Sequence, residues 1–356
     1  MAGGRKPGSQ LGRNASPISR RNNPELTPVS GSPLSSSLLV AAAYTALAAL
    51  RGRATIAAAL IVSAISLNWY PFWTELALGQ LMITILFLAT LTWWSLKRKH
   101  RKRAGLFLGL ALLIKPVLWP LGVLLLVKRE YRAMMSAGVV VIGGYIAAAA
   151  VVGLGTTVAY FTDVLPSIDR AYRGYIWNTS LLSIGWRVFD GTYSTVEVGT
   201  TAPPLFSLPA APAIVSALML VSVISASGFY VHRTRSLDAC IGIMMCVSIL
   251  LSPVSWQHYQ TLALIPLAFV GYRLVGLGLP RGKTVVAALV VGLLFLSTRQ
   301  WLFLGAWLAG QPATSDLPST LPFAPALLSM MPALGILGLA LLVAKLGSRS
   351  AVGTSA

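Results

Sequence analysis

Apolar residues fill long unbroken runs in this chain rather than alternating with polar ones. The runs cover about 54–70, 79–96, 104–127, 133–155, 213–231, 237–252, 260–277, 284–304 and 325–345. Most are too long for buried strands, and many approach the roughly 20 residues that a helix needs to cross a bilayer core. A shorter run, 38–50, precedes them. It gives only roughly 20 Å of helix, short for a span. The pattern predicts an all-α polytopic membrane protein, a helical bundle of about 8–10 membrane segments. One connection stands out. The stretch 156–212 has no comparable apolar run, and a connection of that length is a functional loop or a small external subdomain.

Charge orients the runs. Basic clusters lie at Arg51/Arg53, 97–103 (KRKHRKR), 128–132 (KREYR), 232–235 (HRTR), Arg281/Lys283 and Lys345/Arg349. Placed together in the cytoplasm, as the positive-inside rule requires, they leave 68–78, 156–212, 253–259 and 305–324 outside. The run 104–127 then has cytoplasmic clusters at both ends and cannot cross once. Lys115-Pro116 and Trp119-Pro120 interrupt it, so it reads as two short helices that dip into the membrane and return. The N-terminus breaks the parity. Either 38–50 is itself a hairpin or interfacial element, or helices upstream of it are absent from this chain. Residues 1–36, rich in Gly, Pro, Ser, Asn and Arg, read as a disordered basic tail. Residues 37–348 form the membrane domain and 349–356 a cytoplasmic tail.

Composition sharpens the class. Hydrophobic residues make up 56% of the chain and charged residues 10%, too few to coat a water-facing surface, which excludes a soluble enzyme. The net charge of +19 would suggest nucleic acid in a soluble protein. Here the bases sit between apolar runs, so topology accounts for them and no nucleic-acid partner is expected. Cys240 and Cys246 share one run, about 9 Å apart along a helix, too far for a disulfide.

Nine acids and three histidines make the search for chemistry short. Glu75, Asp163, Asp169, Asp190, Glu197 and Asp316 fall outside by the charge rule. His258 is the external histidine, and a neutral imidazole there can accept a proton from a sugar hydroxyl. The plainer alternative is an interfacial histidine satisfied by backbone. Lys115 is a lysine inside an apolar run, where a charge is costly and therefore a functional candidate, suited to a phosphate. Snorkelling is its alternative. Arg170, Arg173 and Arg187 run against the charge rule and could hold an anion or pair with Asp163, Asp169 or Asp190. Tyr160, Phe161, Tyr172, Tyr175 and Trp177 suit either the bilayer surface or stacking on a sugar. No Walker loop, zinc spacing or GxSxG is present.

Four elements in order carry a resemblance: Gly79-Gln80 entering an apolar run; a basic cluster followed by Gly105 to Lys115-Pro116; Asn178-x-Ser180-Leu181 with Arg187; and Ser252-Pro253-x-Ser255-Trp256-x-His258. Over about 51–345 the chain resembles glycosyltransferase family 87, multispanning GT-C-type mannosyltransferases that use polyprenyl-phosphate mannose on the external face of the plasma membrane. The resemblance implies an inverting transfer of a hexose, mannose, to a lipid-linked or cell-envelope glycan. It implies no cofactor or metal, and membrane lipid, the lipid-linked sugar and the glycan as partners. His258 would be the base or part of a base dyad. Lys115, Arg187 and Arg173 would bind the donor phosphate. Gln80, Asn178 and Trp256 would orient the sugar. GT-C enzymes place an aspartate in the first external loop, and nothing before residue 51 matches it. Glu75 and Asp169 are the candidate substitutes. The competing expectations are a polytopic transporter or flippase, which would show broken helices in an internal repeat, and an inactive truncated relative.

Overall fold

The computed structural model describes residues 33–192, 200–277, 281–311 and 317–348. Its helices, in chain order, are α1 (Pro33–Arg51), α2 (Ile56–Leu67), α3 (Tyr70–Leu78), α4 (Met82–Lys97), α5 (Arg101–Ile114), α6 (Pro120–Val127), α7 (Tyr131–Val152), α8 (Leu154–Ala159) and α9 (Leu165–Tyr172). They continue with α10 (Ser183–Phe189), α11 (Ala211–Arg233), α12 (Leu237–Leu250), α13 (Leu264–Leu277), α14 (Arg281–Phe295), α15 (Thr298–Leu308), α16 (Phe323–Leu327) and α17 (Met331–Gly347). Among the described residues there is no strand, only two isolated bridges, Thr192 with Ala202 and Thr201 with Thr320. The chain is an all-α polytopic membrane protein.

Among the described residues, four stretches are long and apolar enough to cross a membrane: α1, α7, α11 and Phe323–Gly347. Two bent pairs raise the number to six, α2 with α3 at 82° and Thr284–Phe295 with α15 at 91°. Shorter apolar helices fill the interior. Several of the expected membrane segments are thus bent, broken or short rather than full-length spans.

α12 is the central post. Every residue from Ala239 to Leu250 is buried, and it packs against α17, α13, α6 and α11. Its sequence is apolar on all sides, as an enclosed helix requires. α7 and α11 are the opposite case, apolar but barely covered, and they face outward. α7 is held to α5 through glycines. A Cβ on Gly105 would collide with the Ala133 carbonyl oxygen, and one on Gly109 would lie 2.9 Å from that of Ala137. Only a side chain no larger than hydrogen permits that approach of two helix backbones.

The run 104–127 breaks at the first of its two prolines, Pro116, while Pro120 opens a new helix with Trp119 still helical before it. α5 ends at Ile114, Lys115 is extended (φ −159°), and α6 begins at Pro120. Proline disfavours a helical residue before it and removes the N–H that would continue the ladder. The chain then returns to its starting level, since Arg101 Nε lies 2.6 Å from Glu130 Oε2. At the same end Asp238, in the first turn of α12, accepts from Trp93 Nε1 at 2.9 Å and pairs with Lys97 at 3.0 Å. The clusters 97–103, 128–132 and 232–235 therefore gather at one basic end of the bundle.

One boundary differs from expectation. α1 starts at Pro33, so Pro33–Ser36 belong to a helix rather than to the tail, and the run is long enough to cross. The serines hide this start. Ser37 Oγ donates back to the Pro33 carbonyl oxygen at 2.8 Å, which satisfies a hydroxyl inside an apolar helix. The rest of the expected tail, residues 1–32, and the expected C-terminal tail, 349–356, lie outside the described residues. The long connection 156–212 carries α8, α9 and α10, with 193–199, Glu197 among them, outside the described residues. Asp316 also lies outside them.

Candidate functional site

At the end opposite the basic clusters, α3 runs across the bundle after its 82° bend. Gly79 closes it in the left-handed conformation (φ +59°), with Gln80 N donating to the Glu75 carbonyl oxygen at 3.1 Å. This glycine turn aims the last turn of α3 at the start of α4. α4 has no side-chain cap of its own at Leu81. Glu75 supplies one: its Oε1 accepts from the Ile83 N–H at 3.0 Å. The positive end of the α4 dipole thus faces a carboxylate. Glu75 is buried, and its second oxygen, Oε2, has no hydrogen-bond partner.

Lys115, at the tip of the hairpin, places its Nζ 4.1 Å from the centre of the Tyr259 ring. A desolvated ammonium on an aromatic face is a favourable pairing. Its charge also acts on Glu75 and on His258. His258 stands 5.1 Å from Tyr259, ring to ring, in the short 3₁₀ segment Gln257–Ala263. It is 3% exposed, and neither ring nitrogen has a partner. Burial, with the Lys115 charge added, pushes the imidazole down to about 3, so it is neutral at physiological pH.

Beside this cluster opens a cavity of about 210 Å³. Its walls are Tyr70, Thr74 and Leu78 on one face of α3, Tyr175 and Trp177 from the 173–182 loop, and Trp256, Gln257 and His258. Tyr172, Tyr175 and Trp256 meet edge to face, with ring centres 5.3 to 5.8 Å apart. Aromatic walls with a few convergent polar groups are the make-up of a ligand site. The Gln257 Nε2, buried and without a partner, is a second polar atom available there.

Asn178 and Arg187 build the loop behind the cavity. Asn178 Oδ1 accepts from Ser180 N at 3.0 Å and from Ser255 N at 2.9 Å. Its Nδ2 donates to the Pro253 and Tyr172 carbonyl oxygens at 2.9 and 3.1 Å. With both ends engaged, Asn178 clamps the 172–180 loop to the Ser252–Trp256 turn. Arg187, 1% exposed, donates through Nη2 to the carbonyl oxygens of Tyr175, Ile176 and Asn178, and through Nη1 to Ser329 Oγ. Its charge is spent on backbone.

Glu75, Lys115, His258 and Trp256 are thus brought together, with Asn178 and Arg187 one layer behind. Arg173 stacks on Trp186 at 3.5 Å and sits beside Asp169, whose carboxyl is raised by burial and lowered by Arg173 and then Arg170. Gln80 has an exposed side chain and serves the turn through its backbone. Gln257, Tyr259, Tyr70 and Thr74 were not singled out by sequence. Gln257 is the unspecified position before His258 in the quoted motif, and Tyr70 and Thr74 carry only an i, i+4 spacing. Among the described residues no three His, Cys, Asp or Glu side chains group as a metal site.

The fold and cavity define a polytopic membrane protein with a buried carboxylate, an ammonium and a neutral imidazole beside an aromatic-walled pocket at one membrane face. The family model for glycosyltransferase family 87 matches residues 29–253, more than half of the chain, and the chain belongs to that family. It is a membrane glycosyltransferase. The match reaches Glu75, Lys115, Asn178 and Arg187 and ends five residues before His258. No curated protein and no solved structure matches the chain.

Proposed function

We propose that the protein transfers a hexose, mannose, from a polyprenyl-phosphate donor to a lipid-linked or cell-envelope glycan on the external face of the plasma membrane. The observation that carries this reading is the convergence of Glu75, Lys115 and His258 beside one aromatic-walled cavity. In the proposed step Glu75 Oε2 takes the proton of an acceptor hydroxyl. The freed oxygen attacks the anomeric carbon from the face opposite the phosphate, and the bond from that carbon to the phosphate oxygen breaks with its electron pair. The anomeric configuration inverts, and the polyprenyl phosphate leaves as an anion.

Lys115 balances that anion. Because its charge acts on Glu75 and His258 alike, one cation can serve the carboxylate before the step and the phosphate as charge develops on it. His258, held neutral, is a weak proton acceptor and is better suited to a hydrogen bond with a sugar hydroxyl. Glu75 therefore replaces it as the proposed base. Trp256 and Gln257 hold the ring. Arg187, Arg173 and Asn178 act from outside the cavity, on the loop that carries its wall.

The test is transfer from radiolabelled polyprenyl-phosphate mannose in membranes holding the protein. Incorporation into an endogenous acceptor that vanishes with Glu75→Gln supports the reading. Full incorporation with that variant removes Glu75 from the mechanism, and no incorporation by the unaltered protein removes the donor.

A further inference from the structure

A second cavity, of about 260 Å³, lies at the basic end, far from the first. It is a groove between α13, α14 and α17, walled by Leu274, Val286, Val290, Leu341 and Leu342, with Lys345 at its end. Leu274 comes sixteen residues after His258, so roughly 25 Å of helical rise separates groove and site. Its floor depends on Gly338, where an added Cβ would come within 2.9 Å of Val290 Cγ2. Val286 and Leu341 are exposed, so the groove opens sideways toward lipid.

The three helices that wall the groove carry charge of one sign. Arg273 of α13 donates to the Leu346 carbonyl oxygen at 3.0 Å, beside the groove, and Lys345 occupies its end. α14 opens with Arg281 and Lys283, and none of the three helices contains Asp or Glu. An apolar slot between helices with cations at the membrane interface complements an acyl chain joined to a negatively charged headgroup.

We propose that this groove binds one anionic phospholipid of the leaflet at the basic end, an acyl chain between α14 and α17 and the headgroup phosphate at Lys345. The lipid covers Val286 and Leu341 and supplies the negative charge that the three helices lack. Lys345 lies on the surface and at the end of its helix, so it can change without disturbing the core.

The test is native mass spectrometry of the delipidated full chain in detergent. It is offered equal amounts of phosphatidylglycerol and phosphatidylcholine with the same acyl chains. The expected result is at least fivefold preferential retention of one phosphatidylglycerol. That preference falls to near unity in Lys345→Gln, while retention of both lipids falls in Val286→Phe, which obstructs the slot from its exposed wall. Equal retention of the two lipids by the unaltered protein, or a preference unchanged in Lys345→Gln, overturns the proposal. Displacement of phosphatidylglycerol by a short polyprenyl phosphate also overturns it, since the groove would then belong to the donor.

Discussion

Lys115 and Tyr259, 144 positions apart in the chain, meet with the ammonium 4.1 Å from the ring centre. The tip of the hairpin formed by α5 and α6 is thereby fixed against the segment that carries His258. Arg101 and Glu130 close the base of the same hairpin at the other end of the bundle. The tip and base therefore lie at opposite ends of the bundle. Cysteine replacements at 115 and 258 are expected to react with an impermeant thiol reagent from the same side, and a replacement at 101 from the other. Cys240 and Cys246 are buried and supply little background. Reaction of 115 and 258 from opposite sides would sink the shared site.

Glu75→Gln is expected to lower transfer by about 10²- to 10⁴-fold, the range typical of a lost general base. The fold should survive, because the amide oxygen can still accept from Ile83 N. His258→Gln keeps a hydrogen-bonding group and should lose much less, roughly tenfold by comparison with that range. A larger loss at 258 than at 75, with both variants folded, would reverse the assignment of the base.

Arg187→Met is expected to destabilise the protein by about 3–5 kcal/mol, the cost of removing one partner from a buried charged network. Three carbonyl groups and Ser329 would lose their donor. Arg187→Lys should recover only part of that, since one ammonium cannot reproduce the planar fork. Thermal unfolding in detergent measures both. A stable Arg187→Met with a raised KM for donor would instead return Arg187 to phosphate binding.

The hairpin was legible in sequence because proline chemistry and charge both mark it: Lys115-Pro116 and Trp119-Pro120 inside, basic clusters on either side. α12 was legible only as one apolar run among several, since α7 is as apolar and faces outward, and lipid or protein can cover such a helix equally well. The start of α1 was not, since Ser35, Ser36 and Ser37 look like loop, and it takes the structure to show the Ser37 hydroxyl turned back on the Pro33 carbonyl. Site residues divide by reach. Lys115 and His258 stand out as polar groups beside apolar runs. The work of Arg187 depends on Ser329, 142 residues away, and on carbonyl groups that any sequence would have. An arginine against the charge rule reads the same whether it holds an anion or a loop. Glu75 stood level with Asp169 until the glycine turn at Gly79 placed its carboxylate at the head of α4.

The neutral state of His258 has a consequence for acid stability. Its imidazole falls from the ordinary 6.5 to about 3 in the folded chain, through burial first and Lys115 second. The unfolded chain takes up a proton below pH 6.5 that the folded chain refuses until about pH 3. The stability that His258 contributes is therefore whole above pH 6.5, is lost progressively between pH 6.5 and 3, and changes no further below that. Carboxylates titrate over part of this window, so the useful quantity is a difference between two proteins. The melting temperature of the unaltered chain should drop more than that of His258→Gln when pH is lowered from about 7.5 to 4.5, a span that crosses the ordinary histidine range. Parallel decreases in the two proteins would mean that His258 is hydrated and free to protonate, and a hydrated imidazole would reopen its claim to be the base.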